Sequence, residues 1–292
     1  MNVAVVGMGA VGTAIAGALA RAGHAVLACG RSFSGRAALT VSADDGEFTA
    51  LCDWLRDPAE VVAPVDWVVV ATKWHQTRGA EEWLMRLCGA GTAVIVARNG
   101  VDHVDQLAGR AGELVVPALV YLNIDHLGRG RVRVRRTGAD LVVPDDAGGR
   151  RVHDLLAPGG LVVERTADFT TAAWTKLLTN VSANPITALT GRGCEVLREP
   201  RVADLAGELI AEAVEVGRAE GAVFDARAVD DAVAWMQSLP DGAKTSMLQD
   251  RELGRPLEWE GLTGAVVRAA DRHGLAVPVN RAVMSLLSAC GA

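Results

Sequence analysis

A glycine-rich turn near the N-terminus is the feature that most constrains how this chain folds. The motif Gly-Met-Gly-Ala-Val-Gly follows the strand-like segment Asn2–Val6 and opens the alanine-rich, helix-like segment Val11–Ala22. In a GxGxxG pattern the first glycine permits a tight turn, the second lets a backbone approach a pyrophosphate, and the third lets the helix pack closely on the strand. The pattern predicts dinucleotide binding at the helix N-terminus, and the alternative is a glycine-rich packing turn. The predicted contacts are Gly7, Met8, Gly9, Ala10, Val11 and Gly12.

Apolar runs rich in valine and isoleucine recur through the first part of the chain. We predict further strands at His24–Cys29, Asp66–Ala71, Thr92–Ala97 and Leu114–Ala118. Continuous apolar runs separated by helical segments are typical of a parallel sheet that helices cover on both faces. The sequence therefore predicts an α/β fold with a Rossmann-type, doubly wound parallel sheet.

The pattern changes between about residues 120 and 166. Arg129–Arg136 alternates arginine with small or apolar residues, which predicts a strand with one solvated face, antiparallel and near an edge of the sheet. The alternative for this segment is a basic patch that binds a phosphorylated ligand. Leu161–Glu164 is again apolar.

Beyond Asp168 the strand pattern ends and helical spacing replaces it. The predicted helices are Phe169–Leu189, Val202–Glu220, Glu258–His273 and Arg281–Ala289. We expect Pro185 to kink or end the first of them. With the boundary near Ala167, residues 1–167 are expected to form the dinucleotide-binding domain and residues 168–292 an all-α domain for substrate and catalysis.

Composition excludes several other classes of protein. The 292 residues are 50% hydrophobic with a formal net charge of −6, which excludes general disorder and argues against nucleic-acid or anionic-membrane partners. The five cysteines include no CxxC pair, as is typical of reduced thiols in a cytoplasmic protein. The uncharged run Val3–Ala20 is as long as a membrane helix, but four glycines interrupt it and no Lys or Arg precedes it. We therefore expect a cytoplasmic protein with no membrane partner.

The end of the second predicted strand indicates which dinucleotide binds. An NAD site usually places an acid about 20 residues after the glycine turn, where it holds the ribose 2′-hydroxyl. Here Arg31 and then Ser32 occupy that region, and no Asp or Glu occurs before Asp44. Because a guanidinium can hold a 2′-phosphate through several donors, the sequence predicts NADP(H). The alternative is that Arg31 begins a solvated loop.

Three polar residues share one face of the first C-terminal helix. Lys176, Asn180 and Asn184 are spaced i, i+4 and i+8 among mostly apolar neighbours. Buried polar groups need partners, because desolvation is otherwise uncompensated. These three residues either bond to backbone at a domain interface or face a cleft and bind a polar substrate.

Polar residues also follow two of the predicted strands. Lys73 comes just after Asp66–Ala71, and Arg98-Asn99-Gly100 follows Thr92–Ala97. Open α/β sheets bind ligands at the carboxyl ends of their strands. The sequence therefore predicts that Lys73 and Asn99 lie near a ligand.

A set of motifs in fixed order covers essentially the whole chain. It comprises Gly7, Gly9 and Gly12, Lys73, Asn99-Gly100, Lys176-xxx-Asn180-xxx-Asn184-Pro185, Ser246-Met247-Leu248-Gln249-Asp250, and Glu258. This set resembles the ketopantoate reductase family, the NADPH-dependent 2-dehydropantoate 2-reductases of pantothenate and coenzyme A biosynthesis. The resemblance implies a Rossmann domain followed by a helical domain, an NADP-dependent oxidoreductase, and a 2-oxo acid as the small-molecule substrate. A homodimer is left open.

The resemblance also implies roles for single residues. Lys176 would be the general acid that protonates the carbonyl oxygen as hydride arrives at C2, and Glu258 would act beside that lysine and the nicotinamide. Arg31, Lys73 and Glu258 would bind the cofactor. The substrate or the cofactor would be bound by Asn99, Asn180, Asn184 and Ser246. An ammonium group suits this reaction because negative charge develops on oxygen, and no metal is required.

One departure from the family leaves alternatives open. Members often have Gln before Asn-Gly, whereas this chain has Arg98, which either contacts cofactor phosphate or substrate carboxylate or is simply solvated. We expect it to be solvated.

The main alternative function is the same chemistry on another 2-oxo acid or related carbonyl compound, and a further one is an NADP(H)-binding sensor without turnover. Lys176 and Glu258 argue against a sensor, because a binding module needs no proton donor.

Overall fold

A computed structural model describes residues 1–31, 33–44, 46–102, 107, 114–135 and 138–290. The chain divides into two units, Met1–Phe169 and Thr170–Ala292. This division falls two residues beyond the boundary predicted at residue 167.

The described part of the first unit contains one sheet of eleven strands and three α-helices. The strands are β1 (Asn2–Val6), β2 (Ala25–Cys29), β3 (Gly35–Ala43), β4 (Gly46–Leu55), β5 (Trp67–Val70), β6 (Ala93–Ala97), β7 (Leu114–Val120), β8 (Asn123–Gly128), β9 (Arg131–Arg135), β10 (Leu141–Pro144) and β11 (Val163–Thr166). The helices are α1 (Ala10–Arg21), α2 (Thr77–Leu87) and α3 (Ala147–Leu156).

The centre of the sheet has the order β4-β2-β1-β5-β6-β7, and each neighbouring pair within it is parallel. Strand order reverses direction at β1, as in the doubly wound nucleotide-binding fold. Val3 and Val5 of β1 pack in the core with α1 and α3, while Ala4 and Val6 face the core formed with α2. Helices therefore cover both faces, and the predicted Rossmann-type fold is confirmed.

The arginine-rich strand lies next to an edge of the sheet. In β9 the two valines are buried and the three arginines are exposed, as the alternating sequence predicts. The strand pairs antiparallel with the edge strand β8 and parallel with β3. Arg136, the last residue of the predicted segment, lies outside the described residues. The hairpin of β3 and β4 was not predicted, because its Ala, Ser and Thr residues give a weak strand pattern.

The described residues of the second unit form helices and no strands. These are α4 (Phe169–Thr190), α5 (Pro200–Ala219), α6 (Ala228–Gln237), α7 (Ser246–Glu252), α8 (Thr263–His273) and α9 (Pro278–Cys290). Helix α5 packs against α6, α8 and α9. The all-α character is as predicted, whereas α6 and α7 were not predicted.

One predicted helix boundary is confirmed and another is wrong. Helix α4 spans Phe169–Thr190, within one residue of the predicted Phe169–Leu189, and it does not end at Pro185, because proline removes a single N–H donor and the three residues beyond it are buried. The predicted helix from Glu258 begins only at Thr263, and Glu258 lies in an irregular segment before it. Gly261, a poor helix former, lies in this non-helical segment.

The uncharged run Val3–Ala20 is divided between β1 and α1. No helix among the described residues is long and apolar enough to cross a membrane.

All five cysteines are free. Burial, with a smaller contribution from the Glu60 carboxylate, raises the pKa of the Cys29 thiol to about 12, so this thiol is not a nucleophile at neutral pH.

Candidate active site

The carboxyl ends of four central strands lie at one edge of the first unit. Val6 pairs with Cys29 on one side and with Val70 on the other, and Val70 pairs with Val96. The loops that follow β1, β2, β5 and β6 therefore begin at the same edge of the sheet. These are the loops that carry the glycine turn, Arg31, Lys73 and Asn99, so this part of the predicted site is brought together by strand register.

The glycine turn packs tightly against its surroundings at two positions. Gly7 has φ +98°, and a Cβ atom there would lie 2.7 Å from the backbone nitrogen of Thr72. A Cβ atom on Gly12 would lie 2.0 Å from the carbonyl oxygen of Gly7. Both positions thus require glycine, as the motif predicts.

Gly9 differs, because a Cβ atom there would meet nothing within 4 Å. Gly9 is also the N-cap of α1, and no side chain caps this helix end. Free space and uncapped N–H groups at a helix N-terminus suit a bound phosphate group. The residues present therefore fit the pyrophosphate of a dinucleotide.

The predicted cofactor residues flank this turn. Arg31 is exposed and follows Gly30, which packs against Met8. Lys73 is partly buried and precedes the 3₁₀-helix Trp74–Gln76, and Asn99 is partly buried after β6. Ser32, the hydroxyl expected beside Arg31, lies outside the described residues.

The expectation that Arg98 is solvated is wrong. Its side chain is only 5% exposed, and Nη1 donates a hydrogen bond to Thr77 Oγ1 at 2.8 Å. Thr77 Oγ1 in turn donates to the Trp74 carbonyl at 2.6 Å. Arg98 therefore links the end of β6 to the first residue of α2.

The second unit contains a polar cluster centred on α4. Asn184 Nδ2 donates to Asn180 Oδ1 at 3.1 Å, which confirms that these residues share a helix face. Asn184 Oδ1 accepts hydrogen bonds from Ser246 Oγ and from the Met247 backbone N–H, each at 3.2 Å. The amide of Asn184 thus joins α4 to the start of α7.

Lys176 lies on the same helix, one turn before Asn180. Burial lowers the pKa of its ammonium from 10.5 to about 7, and the Glu258 carboxylate opposes part of this shift. Glu258 itself is buried, with 9% of its surface exposed. A lysine with a pKa near neutrality can hold a proton and release it at working pH, which is what a general acid requires.

Sequence reasoning missed the link between α4 and α7. Thr187 Oγ1 and Thr245 Oγ1 are hydrogen-bonded at 2.7 Å, and Thr245 caps α7 by accepting from the Leu248 N–H at 3.2 Å. A threonine before an apolar helical segment is an N-cap signal that could have located α7.

Within the described chain, no group of three or more His, Cys, Asp or Glu residues could hold a metal ion.

The fold and the two sets of residues define a Rossmann-type oxidoreductase with an all-α C-terminal unit. Residues 3–146 match the family model for ketopantoate reductase PanE/ApbA, and residues 168–290 match the model for its C-terminal domain. The chain therefore belongs to the ketopantoate reductase family, and it is an oxidoreductase that uses a nicotinamide cofactor.

Relatives of known name agree with this assignment. A 2-dehydropantoate 2-reductase of Mycobacterium tuberculosis is 40% identical over 290 residues, covering 99% of this chain and 97% of its own length. The enzyme of that name from Caulobacter vibrioides is 36% identical over 291 residues, covering 99% and 98%. The solved structure of a dimeric ketopantoate reductase from Staphylococcus aureus has a TM-score of 0.86 and 28% identity, covering 99% of this chain and 98% of that one. For this chain a homodimer stays a prediction.

Proposed function

We propose that this protein reduces 2-dehydropantoate to pantoate, with NADPH as the cofactor and Lys176 as the general acid. The observation that carries the proposal is the position of Lys176 beside Glu258 and one helical turn from Asn180, with a pKa lowered to about 7. The relatives that are 40% and 36% identical over nearly their whole length carry the name of this reaction.

In this proposal the first unit holds the cofactor. The uncapped N-terminus of α1 and the open space at Gly9 receive the pyrophosphate, and Arg31 binds the 2′-phosphate. Lys73 and Asn99, which follow the neighbouring strands β5 and β6, complete the contacts. When bound, NADPH supplies the hydride that reduces the C2 carbonyl.

In the second unit, Lys176 has two tasks. Its ammonium stabilises the negative charge that develops on the carbonyl oxygen, and it then donates a proton to that oxygen. Glu258 raises the pKa of Lys176 and so keeps a larger fraction of it protonated than burial alone would allow. Asn180 and Ser246 provide hydrogen bonds to the polar groups of the oxo acid, and Asn184 belongs to the same cluster.

A substrate comparison tests the proposal. NADPH oxidation is followed by absorbance with 2-dehydropantoate and with a series of other 2-oxo acids. We expect the highest kcat/KM for 2-dehydropantoate. Turnover only with a different 2-oxo acid would show that the proposed substrate is wrong. Binding of NADPH without its oxidation by any of these acids would favour an NADP(H)-binding sensor.

The pH dependence of turnover tests the role of Lys176. Because the general acid must be protonated, kcat/KM is expected to be constant below pH 7 and to fall about tenfold per pH unit above it. Replacing Glu258 with Gln removes the carboxylate that raises the pKa of Lys176, so the break should move to lower pH. A profile that is flat between pH 6 and 9, measured at saturating NADPH, would assign the proton to another group.

The cofactor preference tests Arg31. In Arg31→Ala we expect the affinity for NADPH to fall by about tenfold or more, because a charge-assisted hydrogen bond contributes about 1.5–3 kcal/mol. The affinity for NADH should stay unchanged, since NADH has no 2′-phosphate. Dissociation constants from nicotinamide fluorescence measure both, with Arg201→Ala, an exposed arginine of α5, as the matched control. An unchanged preference would place the phosphate contact elsewhere.

A further inference from the structure

We infer that Asn184 is a positioning residue, which sets the orientation of Asn180 and Ser246 without contacting the substrate itself. This inference rests on the proposed function, because it divides the predicted substrate residues into those that contact the oxo acid and one that orients them.

The orientation of the Asn184 amide follows from a backbone group. The Met247 N–H can only donate, so the atom of Asn184 that faces it at 3.2 Å is the oxygen Oδ1. The nitrogen Nδ2 must therefore face Asn180, whose Oδ1 accepts its hydrogen bond at 3.1 Å. With its oxygen engaged in this way, Asn180 has its own Nδ2 group as the donor available to a ligand.

The same amide oxygen also orients Ser246. The Ser246 hydroxyl donates to Asn184 Oδ1 at 3.2 Å, so its hydrogen is directed towards α4. The oxygen of Ser246 keeps its lone pairs for another partner. One buried amide thus determines the direction of two polar groups on two different helices.

Burial separates the three residues into two kinds. Asn184 is 5% exposed, whereas Asn180 is partly exposed and Ser246 is exposed. Both polar atoms of the Asn184 side chain are used by contacts within the protein. A ligand can therefore reach Asn180 and Ser246 while Asn184 remains behind them.

The fold does not depend on this amide alone. Thr187 and Thr245 form a second link between α4 and the start of α7, with 2.7 Å between their hydroxyl oxygens. Changes at Asn184 should therefore alter the orientation of its neighbours while the helices remain in place.

The variant Asn184→Asp separates the hydrogen bonds that Asn184 accepts from the hydrogen bond that it donates. Its carboxylate still accepts from the Met247 N–H and from Ser246, but it cannot donate to Asn180. The side-chain amide of Asn180 should then flip, so that its Nδ2 group donates a hydrogen bond to the carboxylate of the variant. Its oxygen Oδ1 would then face the ligand in the place of the Nδ2 group. Because an oxo acid offers oxygen acceptors, we expect KM for the acid to rise about tenfold, with kcat changed less than about threefold and NADPH affinity unchanged.

A second substitution distinguishes positioning from direct contact. If Asn184 acts through Asn180, the double variant Asn180→Ala/Asn184→Asp should have a KM within about threefold of Asn180→Ala alone. If Asn184 touches the substrate, the two effects should multiply, and the inference is overturned. The matched control is Ser182→Ala, a buried polar residue of the same helix bonded to the Leu178 carbonyl, which should leave KM unchanged.

Amide hydrogen exchange gives a readout that needs no substrate. Exchange at Met247 should be faster in Asn184→Ala, which removes the acceptor, and close to wild type in Asn184→Asp, which keeps it. Unchanged exchange in Asn184→Ala would overturn the inference. If the wild-type protein reduces another 2-oxo acid instead of 2-dehydropantoate, the proposed function fails, and the same comparison made with that acid still tests Asn184.

Discussion

Lys176→Ala is expected to lower kcat by about 100-fold or more while the dissociation constant for NADPH changes little. General acid catalysis typically contributes about 10²–10⁴-fold to a rate, and this lysine is proposed to supply both the proton and the stabilising charge. Apart from Glu258, the predicted NADPH contacts lie in the first unit, so removing an ammonium from α4 should leave cofactor affinity close to wild type.

The variant Lys176→Arg separates charge from proton donation. A guanidinium keeps the positive charge, but its pKa is too high for it to release a proton at neutral pH. We expect its kcat to remain well below wild type and its pH profile to lose the break near 7. Steady-state kinetics with NADPH absorbance measure both variants.

The matched control is Lys244→Ala. Lys244 is an exposed lysine of the same unit, paired with Glu252 at 2.7 Å, and an exposed ion pair contributes little. Its kcat should stay within about threefold of wild type. If Lys176→Ala retained most of its activity, the general acid would have to be another residue.

The glycine turn provides the second large effect. In Gly12→Ala the new Cβ would lie 2.0 Å from the Gly7 carbonyl oxygen, so the backbone must move. We expect the free energy of unfolding to fall by about 2 kcal/mol, as is usual for overpacking, and NADPH affinity to fall by about 100-fold or more because the turn proposed to hold the phosphates is distorted.

Gly9→Val should separate cofactor binding from stability. Its Cβ would face open space, and Gly9 has an extended backbone conformation that other residues adopt without strain. We expect an unfolding free energy close to wild type but NADPH binding at least about tenfold weaker, because the side chain occupies the space proposed for the pyrophosphate.

Denaturant unfolding and fluorescence titration measure the two quantities for each glycine variant. Gly207→Ala in α5 is the control, since a Cβ there meets nothing within 4 Å and the residue lies in the other unit. Full NADPH affinity in Gly9→Val would show that the phosphates bind elsewhere, and unchanged stability in Gly12→Ala would show that the turn is less closely packed than the structure indicates.

Features that depend on nearby residues could be predicted from the sequence. The glycine turn, the strand Asn2–Val6 and the alternating burial of β9 each follow from a pattern a few residues long. The common face of Asn180 and Asn184 follows from the pitch of a helix, which brings residues i and i+4 together wherever the helix lies. The polar residues at the ends of β5 and β6 could be found because parallel strands present their carboxyl ends at one edge.

Other features depend on packing between distant parts of the chain. Arg98 was expected in solvent, yet it is buried and hydrogen-bonded to Thr77, 21 residues away at the start of α2. Helix α4 continues through Pro185 because the burial of the residues beyond it outweighs one lost hydrogen bond. The position of the Arg98 side chain cannot be derived from the residues adjacent in sequence, and neither can the choice between a helix that ends at Pro185 and one that continues.

The sequence by itself determined the glycine turn, the class of fold and the residue types available for catalysis, because these follow from short-range geometry. Only the tertiary structure decided how those residues act on one another. Glu258 affects the pKa of Lys176 across 82 residues of chain, and Asn184 bonds Met247 across 63. Such contacts arise when helices pack together, and the desolvation that lowers the pKa of a lysine exists only once that packing has excluded water.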